Sequence, residues 1–226
     1  MNYGKMRRLW DGALDILFPR RCFGCGEERT VFCAPCLSAL PPAPAASDVA
    51  GAPRAYAPFA YRHEPLRKAL WALKFKGNRE VARVCGALLY DHLIPLLEEY
   101  ALYRGVTMPL LVPVPISRRR RWARGYNQAE LIASALVTHD EGRSFELVAD
   151  ALVKIRDVPP QTSLSEKSAR LKNIEGCFAI KNPARIAGRN VIVLDDIYTT
   201  GATFKEARRA LTVAGARTVI CVAVAH

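Results

Sequence analysis

The sequence predicts an α/β protein with a doubly wound, mainly parallel sheet, preceded by a small cysteine-rich segment. From about residue 54 onward, short β-branched apolar runs alternate with longer stretches of helical periodicity, which is typical of parallel βαβ units. The clearest run, residues 191–194, is followed by two acidic residues and a short polar loop before the next helical stretch. Two close cysteine pairs lie ahead of this pattern. Together they predict one medium domain and a small appendage.

The composition divides the chain at a stretch rich in proline and alanine. Residues 41–53 contain little that can pack, so we assign residues 1–53 to an N-terminal helix, a metal-binding segment and a linker, and residues 54–226 to the larger domain. Within residues 1–18, Asp11 and Asp15 interrupt an apolar stretch, and its apolar side chains share one helical face: Trp10, Ala13, Leu14 and Leu17. This favours an amphipathic helix over a signal peptide. No segment has the apolar length needed to cross a bilayer, so we expect a cytoplasmic protein without membrane insertion.

The positive charge is concentrated in the larger domain. The net charge is +12, and residues 1–53 contain six basic and five acidic residues, which leaves 27 basic and 16 acidic residues in the remainder. Such an excess predicts an anionic ligand or partner, and both polyphosphates and nucleic acids qualify.

Four of the seven cysteines form two C-x-x-C pairs with seven residues between them. The four are Cys22, Cys25, Cys33 and Cys36. Gly24 and Gly26 permit the tight turns that direct paired thiolates at one ion, and four sulfur ligands favour a structural, tetrahedral Zn²⁺. The alternatives are two disulfides or one redox pair, which the absence of a secretory signal disfavours. The other three cysteines are expected to be ordinary buried residues: Cys85, Cys177 and Cys221.

The first half of the larger domain contains two strands and three helices by pattern. Helices are predicted where apolar residues recur every three or four positions, and the second of them contains Pro95, where it could break. Asn127 and Glu130 have capping-box spacing and open the third helix. In chain order the predicted elements are a strand over 56–62, helices over 64–73 and 79–99, a strand over 110–114 and a helix over 127–137.

The second half alternates strands with irregular segments and one helix. Thr203 and Glu206 also have capping-box spacing, and Gly215 is positioned to end the helix that they open. In chain order the elements are a strand over 146–153, a polar stretch to 172, a strand over 191–194, a helix over 204–214 and a strand over 218–225.

The loop after residues 191–194 has the chemistry of a phosphate site beside a diol site. Unpaired N–H groups at a helix start attract an anion, threonine hydroxyls add donors, and a glycine lets the backbone approach closely. Adjacent carboxylates accept hydrogen bonds from vicinal hydroxyls, so the run predicts a ribose 5-phosphate. An ordinary strand followed by a capped helix accounts for the apolar run but not for the polar residues. The residues concerned are Asp195, Asp196, Thr199, Thr200, Gly201, Ala202 and Thr203.

A second anion site is predicted after the strand over 110–114. Pro113 and Pro115 stiffen a turn that leads through Ser117 into four consecutive arginines beginning at Arg118. Because consecutive helical residues point in all directions, we expect one or two of these arginines at the ligand. A solvated or nucleic-acid-facing patch remains the alternative for the rest.

These segments together resemble the ComF family of competence-associated, phosphoribosyltransferase-like proteins. The resemblance covers about residues 17–225 in order. Its matching segments are residues 18–22 with the two cysteine pairs, 73–77, 112–117, 124–130, 161–162, Arg170 with Asn173, and 195–203. It implies a zinc-binding N-terminal segment joined to a type I phosphoribosyltransferase fold, and a link to DNA uptake and natural transformation.

The resemblance also implies a ligand and a mechanism. It implies binding of phosphoribosyl pyrophosphate (PRPP) or a related phosphorylated ribose with Mg²⁺, with Asp195 and Asp196 as the catalytic pair at the ribose. The loop over 199–203 would bind the 5′-phosphate, and Ser117 and Arg118 would bind near the pyrophosphate. Residues 154–172 resemble a closing loop, with a solvated surface loop as the alternative. Lys74 and Lys76 either reach the site or have a structural role.

Two function classes remain open on the sequence alone. One is a phosphoribosyltransferase that transfers the sugar phosphate to a base and releases pyrophosphate. The other is a non-catalytic PRPP or nucleotide sensor, or an adaptor for single-stranded DNA or DNA-processing proteins. In the second class, Trp122 and Tyr126 would be the stacking surfaces.

Overall fold

The computed structural model describes residues 20–44, 55–156 and 175–226. Within these ranges a five-stranded parallel sheet has the order β1-β7-β6-β2-β3, and β4 and β5 form a separate antiparallel ribbon. The strands are β1 (Ala55–Tyr56), β2 (Leu110–Pro113), β3 (Glu146–Leu147), β4 (Leu152–Lys154), β5 (Phe178–Ile180), β6 (Asn190–Ile197) and β7 (Thr218–Ala225). The α-helices are α1 (Ala34–Ser38), α2 (Glu64–Lys76), α3 (Arg79–Arg104), α4 (Arg118–Arg124), α5 (Gln128–Asp140) and α6 (Ala202–Val213).

The sheet is covered on both faces, which confirms the predicted α/β class with a mainly parallel sheet. Successive residues of β6 point to opposite faces. Ile192 and Leu194 pack on the side of α2, α3 and α5, whereas Val191 and Val193 pack with α6 and the β4–β5 ribbon. Because both faces are buried, the central strands are apolar at every position rather than alternating, as expected for a parallel sheet.

Two strands depart from the prediction. The strand expected over 146–153 divides into β3, which pairs with β2, and β4, which pairs with β5 in the ribbon. The chain turns between them, so one apolar run serves two sheets. The strand expected over 56–62 is only β1, followed by isolated bridges from Phe59 to Ala225 and to Pro42.

The helices follow the prediction more closely, with α3 longer than expected. It runs through Pro95 without ending, and both Pro95 and Asp91, one turn earlier, lie on its exposed side. The Asp91 carbonyl that loses its helical partner therefore faces solvent, which keeps the proline tolerable. Gly215, with a φ of 87°, follows α6 and ends it as predicted.

The predicted capping box at the start of α6 is wrong. Gly201 is the N-cap residue, Thr203 already lies inside the helix, and no side chain of the described residues caps this end. Glu206 is buried and accepts hydrogen bonds from Arg209 and from the Phe178 N–H, so a tertiary contact takes the carboxylate that the pattern assigned to the cap.

The cysteine segment packs directly on the larger domain. Val31, Phe32 and Leu40 belong to the same buried cluster as Leu66 and Leu89 of the helices. The first part of the predicted linker is also ordered, since the Ala43 N–H donates to Pro58 O (2.8 Å) and the Ala60 N–H to Pro41 O (3.0 Å). The predicted boundary at residue 53 and the predicted helix over 1–18 lie outside the described residues. No helix in the described ranges is both long and apolar enough to cross a membrane.

Candidate functional site

The predicted phosphate and pyrophosphate loops meet at one point of the sheet. β2 and β6 are neighbours, and Pro113 is in register with Leu194 at their carboxyl ends. From β2 the chain continues toward β3 at one edge, whereas from β6 it continues toward β7 on the other side. Ligands of open α/β sheets bind in the crevice where the connections diverge in this way. The Val114 N–H donates to Leu194 O at 2.8 Å, which fixes one loop beside the other.

The loop after β6 presents its backbone to the crevice. Gly201 has a φ of 72°, a left-handed conformation that costs other residues about 1 kcal/mol or more. This turn leads directly into α6, a helix of twelve residues whose first N–H groups have no helical acceptors. With no side-chain cap from the described residues, these donors and the positive end of the helix dipole are available to an anion.

Aromatic packing below the loop holds it in place. Tyr198 is buried, and its ring stacks on that of Phe204 with centroids 5.9 Å apart. The Tyr198 N–H donates to Ala225 O at 2.8 Å, so a hydrogen bond to the end of β7 holds the first residue of the loop. Among the predicted loop residues, Gly201 and Ala202 are buried, Thr200 and Thr203 are half-buried, and Thr199 is exposed. The threonines are therefore the hydroxyls that can reach a ligand.

Asp195 and Asp196 lie near the carboxyl end of β6, and their side chains extend from opposite faces of the sheet. Asp196 is 5% exposed, and one of its carboxylate oxygens, Oδ2, has no hydrogen-bond partner among the described residues. Its charge, added to the effect of burial, raises the pKa of Cys85 to about 12, so the carboxylate faces α3. Asp195 keeps part of its surface exposed. An unpartnered buried carboxylate oxygen is costly to stability and points to a ligand.

The pKa of Asp195 is raised well above its ordinary value. Burial is the main cause, and the neighbouring Asp196 adds to it, while the Asp196 N–H and the positive charge of Lys74 act in the opposite direction. Asp195 Oδ1 accepts the Asp196 N–H at 2.9 Å. Burial and the neighbouring carboxylate therefore disfavour the ionised form of Asp195, and a hydroxyl donor or a cation beside the pair would favour that form.

The loop after β2 starts beside the crevice and continues to Ser117 and Arg118. Ser117 is buried and caps α4 by accepting the Arg120 N–H at 3.3 Å. Arg118 is exposed and borders a cleft of about 750 Å³ between α4 and the β4–β5 ribbon. Arg121 is engaged with Glu130. Arg121 is therefore engaged and Arg118 is exposed, which agrees with the expectation that only part of the arginine run is available to a ligand.

Asn127 organises this loop in a way that the sequence indicated only in part. Its side-chain oxygen accepts the Ala129 N–H and caps α5, as predicted, but Glu130 does not complete the capping box. Its Nδ2 donates to Val114 O at 2.9 Å, which fastens the turn after β2 to the start of α5. Sequence reasoning found the cap and missed this second bond, because it joins residues that only the fold brings together.

The end of α2 reaches the same crevice. The Tyr126 hydroxyl donates to Lys74 O at 3.1 Å, and Gly77, with a φ of 64°, makes room for the Tyr126 ring. A Cβ at position 77 would lie 2.7 Å from that ring. Lys74 acts on the pKa of Asp195, so it is within electrostatic reach of the carboxylate pair. Residues 157–172 of the predicted closing loop lie outside the described residues.

The four predicted zinc ligands come together at a second place. The Sγ atoms of Cys22, Cys25, Cys33 and Cys36 all lie within 4.8 Å of one another. The Cys22–Cys33 and Cys25–Cys33 sulfur distances are 3.8 and 3.5 Å. Bonds of about 2.3 Å from a tetrahedral zinc would set sulfurs about 3.8 Å apart, so the four thiols fit this ion. The remaining cysteines, Cys85, Cys177 and Cys221, are buried as expected.

Local hydrogen bonds shape the cysteine segment around its thiols. The Cys22 N–H donates to Glu27 O and the Gly26 N–H to Cys22 O, which closes the first turn. Although burial acts to raise it, the pKa of Cys22 is lowered to about 6 by the backbone N–H groups around its sulfur, the Cys33 N–H among them. A Cβ at Gly24 would lie 2.6 Å from Cys36 Sγ, so glycine is needed there.

Comparisons with known proteins bear on the cysteine segment and on the relatives of the chain. A family model described as a double zinc ribbon domain matches residues 13–64, which supports the predicted structural zinc. The chain is 31% identical over 204 residues to the DNA utilization protein YhgH of Escherichia coli (strain K12), and the alignment covers 88% of this chain and 80% of the relative. It is 26% identical to Competence protein F of Haemophilus influenzae, covering 66% of this chain and 62% of the relative. It is 31% identical to Competence protein ComFC of Bacillus subtilis, covering 66% and 54%.

Two solved structures match part of the chain. One is the glutamine PRPP amidotransferase of B. subtilis complexed with ADP and GMP, with a TM-score of 0.37 and 18% identity. Another is described as the allosteric regulatory enzyme of purine biosynthesis, with a TM-score of 0.35 and 20% identity. Each match covers 63% of this chain, which spans about a quarter (26%) of either structure's chain.

Proposed function

The chain belongs to the ComF family of competence and DNA utilization proteins. We propose that the crevice between the loops after β2 and β6, which we call the switch-point crevice, binds PRPP or a closely related phosphorylated ribose. The observation that carries this proposal is that three features follow the carboxyl ends of the neighbouring strands β2 and β6. They are an uncapped helix start behind a glycine turn, a carboxylate pair with an unpartnered buried oxygen, and a stiff loop that ends in arginine.

Each part of such a ligand has a matching group in the crevice. The 5′-phosphate would accept hydrogen bonds from the N–H groups of the loop over 199–203 and from its threonine hydroxyls. The ribose hydroxyls would donate to Asp195 and Asp196. The pyrophosphate would lie toward Ser117 and Arg118, where a guanidinium supplies a forked, permanent positive charge. A simple phosphate would use only the first of these features, so the arrangement favours a sugar that is phosphorylated at both ends.

Magnesium suits the same place. The carboxylates of Asp195 and Asp196 offer the hard oxygen ligands that Mg²⁺ takes in proteins, together with oxygens of a bound phosphate. When bound, the ion would neutralise pyrophosphate charge and orient the ribose hydroxyls. Lys74 contributes a positive charge on the side of α2.

If the site also transfers the sugar, the reaction is a displacement at C1 of the ribose. A bond forms from an acceptor nitrogen to C1, the bond from C1 to the pyrophosphate oxygen breaks, and pyrophosphate leaves with the electron pair while the acceptor loses a proton to solvent. The carboxylates of Asp195 and Asp196 would stabilise positive charge at C1, and Arg118 would stabilise the leaving group. Pyrophosphate release therefore distinguishes a transferase from a sensor that only binds the ligand.

Calorimetric titration with PRPP, with and without Mg²⁺, tests the proposal. We expect the native protein to bind and the variant D195N/D196N to bind about a hundredfold or more weaker, because two charge-assisted hydrogen bonds are lost. The matched control is D91N/E98Q, which removes two carboxylates from the exposed side of α3 and should bind as the native protein does. Absence of binding by the native protein, or equal binding by D195N/D196N, would contradict the proposal.

A pyrophosphate-release assay across a panel of nucleobases would then assign the activity. Release that requires Asp195 and Asp196 would identify a transferase. Binding without release would identify a PRPP-responsive protein.

We further propose that the protein acts in the cytoplasm. Its predicted zinc segment needs thiolates, and a reducing compartment keeps thiols available. Cell fractionation with detection of the full chain tests this, and recovery with secreted proteins would contradict it.

A further inference from the structure

A second cleft lies at the opposite end of the sheet from the switch-point crevice. It has a volume of about 750 Å³ and opens between the second halves of α3 and α6, beside the start of β7. β1 pairs with β7 only at Cys221 and Val222, so within the described residues no strand covers the edge of β7 before that point. We call this cavity the α3–α6 cleft. It occupies the place where the short edge strand leaves β7 uncovered.

Three guanidinium groups line the α3–α6 cleft, and each comes from a different part of the fold. Arg104 is the last residue of α3, Arg208 lies on α6, and Arg217 directly precedes β7. None of the three forms an ion pair with a carboxylate in the part of the chain that the structure describes. The fold therefore brings together three cations whose charges are not neutralised by these residues.

Two of these guanidinium groups lie at the end of α3. The Arg104 guanidinium carbon lies 5.1 Å from the centre of the Tyr100 ring, and this ring also lines the cleft. Arg217 Nη2 is 3.8 Å from the position that a Cβ would take at Gly105, the residue after Arg104. The cation–π contact and the close approach to Gly105 thus keep both groups at the same wall of the cleft.

Arg208 adds its charge from the other wall. Burial raises the pKa of Cys221 to about 12, and the positive charge of Arg208 acts in the opposite direction, so this guanidinium is within electrostatic reach of the cleft floor. The C-terminal end of a helix carries only about half a negative charge. The end of α3 can therefore favour a neighbouring cation, but it does not balance three. An anion in the cleft would offset the excess.

The rest of the lining is apolar or carries hydroxyl groups. Leu96, Tyr56 and Ile220 present apolar surface, whereas Thr212 and Thr218 offer hydroxyls. Small-molecule sites typically enclose about 300–1,000 Å³ and combine apolar walls with a few convergent polar groups. Guanidinium groups donate forked pairs of hydrogen bonds that match phosphate oxygens. The lining therefore suits a molecule that has several phosphates at one end and an apolar ring at the other.

We infer that the α3–α6 cleft binds a nucleoside di- or triphosphate, with its phosphates at Arg104, Arg208 and Arg217 and its base against the apolar wall. An uncharged ligand would leave the three cations without partners, and an inorganic polyphosphate would leave the apolar wall in contact with water. The inference goes beyond the PRPP proposal and does not depend on it, because none of the residues assigned to the PRPP ligand lines this cleft.

Calorimetric titration with ATP tests the inference, with Mg²⁺ and saturating PRPP present so that the switch-point crevice is filled. We expect one ATP to bind per chain. Tripolyphosphate should bind at least about tenfold more weakly, because it lacks the base that packs on the apolar wall. Adenosine should show no measurable binding, because it lacks the phosphates that pair with the arginines.

Substitutions in the lining assign the binding to this cleft. R208Q and R217Q should each weaken ATP binding about tenfold or more, since each removes a charge-assisted hydrogen bond. The matched control is R67Q, which removes an exposed arginine of α2 outside the cleft and should bind as the native protein does.

A second substitution tests the cleft without removing an arginine. Thr212 is exposed and lies one helical turn after Arg208, so T212E should leave the fold intact and place a carboxylate where the phosphates would bind. We expect T212E to lose most ATP binding, and T212Q, which has the same size without the charge, to retain it.

The outcomes separate this inference from the PRPP proposal. D195N/D196N should bind ATP as the native protein does, and R208Q/R217Q should bind PRPP as the native protein does. ATP binding that is absent, unchanged in R208Q/R217Q or displaced by PRPP would overturn the inference. Tripolyphosphate that binds as tightly as ATP would also overturn it, because the cleft would then recognise charge alone.

Discussion

The cysteine segment and the switch-point crevice are built in opposite ways. In the cysteine segment, four ligands lie within residues 22–36, and local hydrogen bonds close the turns around them. In the crevice, the loops after β2 and β6 are far apart in the chain and become neighbours only through the sheet register. The local turns, together with the metal that the thiols would bind, shape the cysteine segment. The packing of the surrounding domain shapes the crevice.

This difference predicts opposite relations between ligand and stability. Four thiols brought together need an ion to hold them, so metal binding and folding of the segment are one process. The crevice is complete without its ligand, because buried strands and Tyr198 packing position its loops. There the buried Asp196 Oδ2, which has no partner among the described residues, costs stability, and the proposed ligand would offset that cost on binding.

Removal of the metal should have the largest effect. Because Val31 and Phe32 share a buried cluster with Leu66, we expect chelation, or the substitution Cys33→Ser, to lower the melting temperature of the whole chain and not only of the segment. Structural zinc contributes on the order of 10 kcal/mol in small domains, which sets an upper scale for the loss. Thermal melting with a metal assay of the same sample measures both.

The control for this prediction is Cys85→Ala. Cys85 is equally buried but lies in α3, away from the other thiols, so the variant should keep its metal. A chelated protein that melts at the native temperature would show that the stability of the larger domain does not depend on metal binding in the cysteine segment.

Substitution of Asp195 by Asn should act in the opposite direction. Burial and Asp196 raise the pKa of Asp195 in the folded state above the value of about 3.9 for unfolded chains. Asp195 therefore costs stability at neutral pH, where the unfolded chain is free to ionise it, and this cost disappears as the pH falls from the folded pKa toward the unfolded one.

We expect D195N to raise the melting temperature at pH 7 by about 2–4 °C, and the difference from the native protein to shrink on acidification. Melting curves of both proteins across acidic and neutral pH measure this. A variant that is less stable at neutral pH would indicate that Asp195 has a structural role.

A smaller effect is expected at the cap of α4. Ser117→Ala removes the side chain that accepts the Arg120 N–H, and loss of such a cap typically costs about 1 kcal/mol. Denaturant unfolding should detect this loss, whereas Ser117→Thr, which keeps the hydroxyl, should be near the native value. If Ser117→Ala instead weakens PRPP binding with unchanged stability, Ser117 serves the ligand and not the helix.

The short-range patterns predicted much of the local structure of both regions. The cysteine spacing, the strand over 191–194, the glycine turn and the Asn127 cap all concern neighbouring residues, and the fold retained each of them. The predictions that failed depended on distant partners. Glu206 did not cap α6, because Arg209 and the Phe178 N–H take its carboxylate.

The same reason explains what sequence reasoning missed. The approach of Lys74 to Asp195 requires α2 to end at the carboxyl edge of the sheet, and Tyr126 sets that position through Lys74 O. The pairing of Phe75 with Arg124 follows from the same contact. Periodicity placed Trp71 on a helix that was predicted to end at residue 73, and it could not show that this ring and that of Phe75 would remain outside the core.

The most direct test of the account is a crystal structure of the native protein soaked with PRPP and Mg²⁺. We predict the 5′-phosphate within hydrogen-bond distance of the backbone N–H groups over 199–203, the ribose hydroxyls at Asp195 and Asp196, and the pyrophosphate beside Arg118. A ligand bound elsewhere, or a phosphate in the loop with the ribose turned away from both carboxylates, would contradict the central claim.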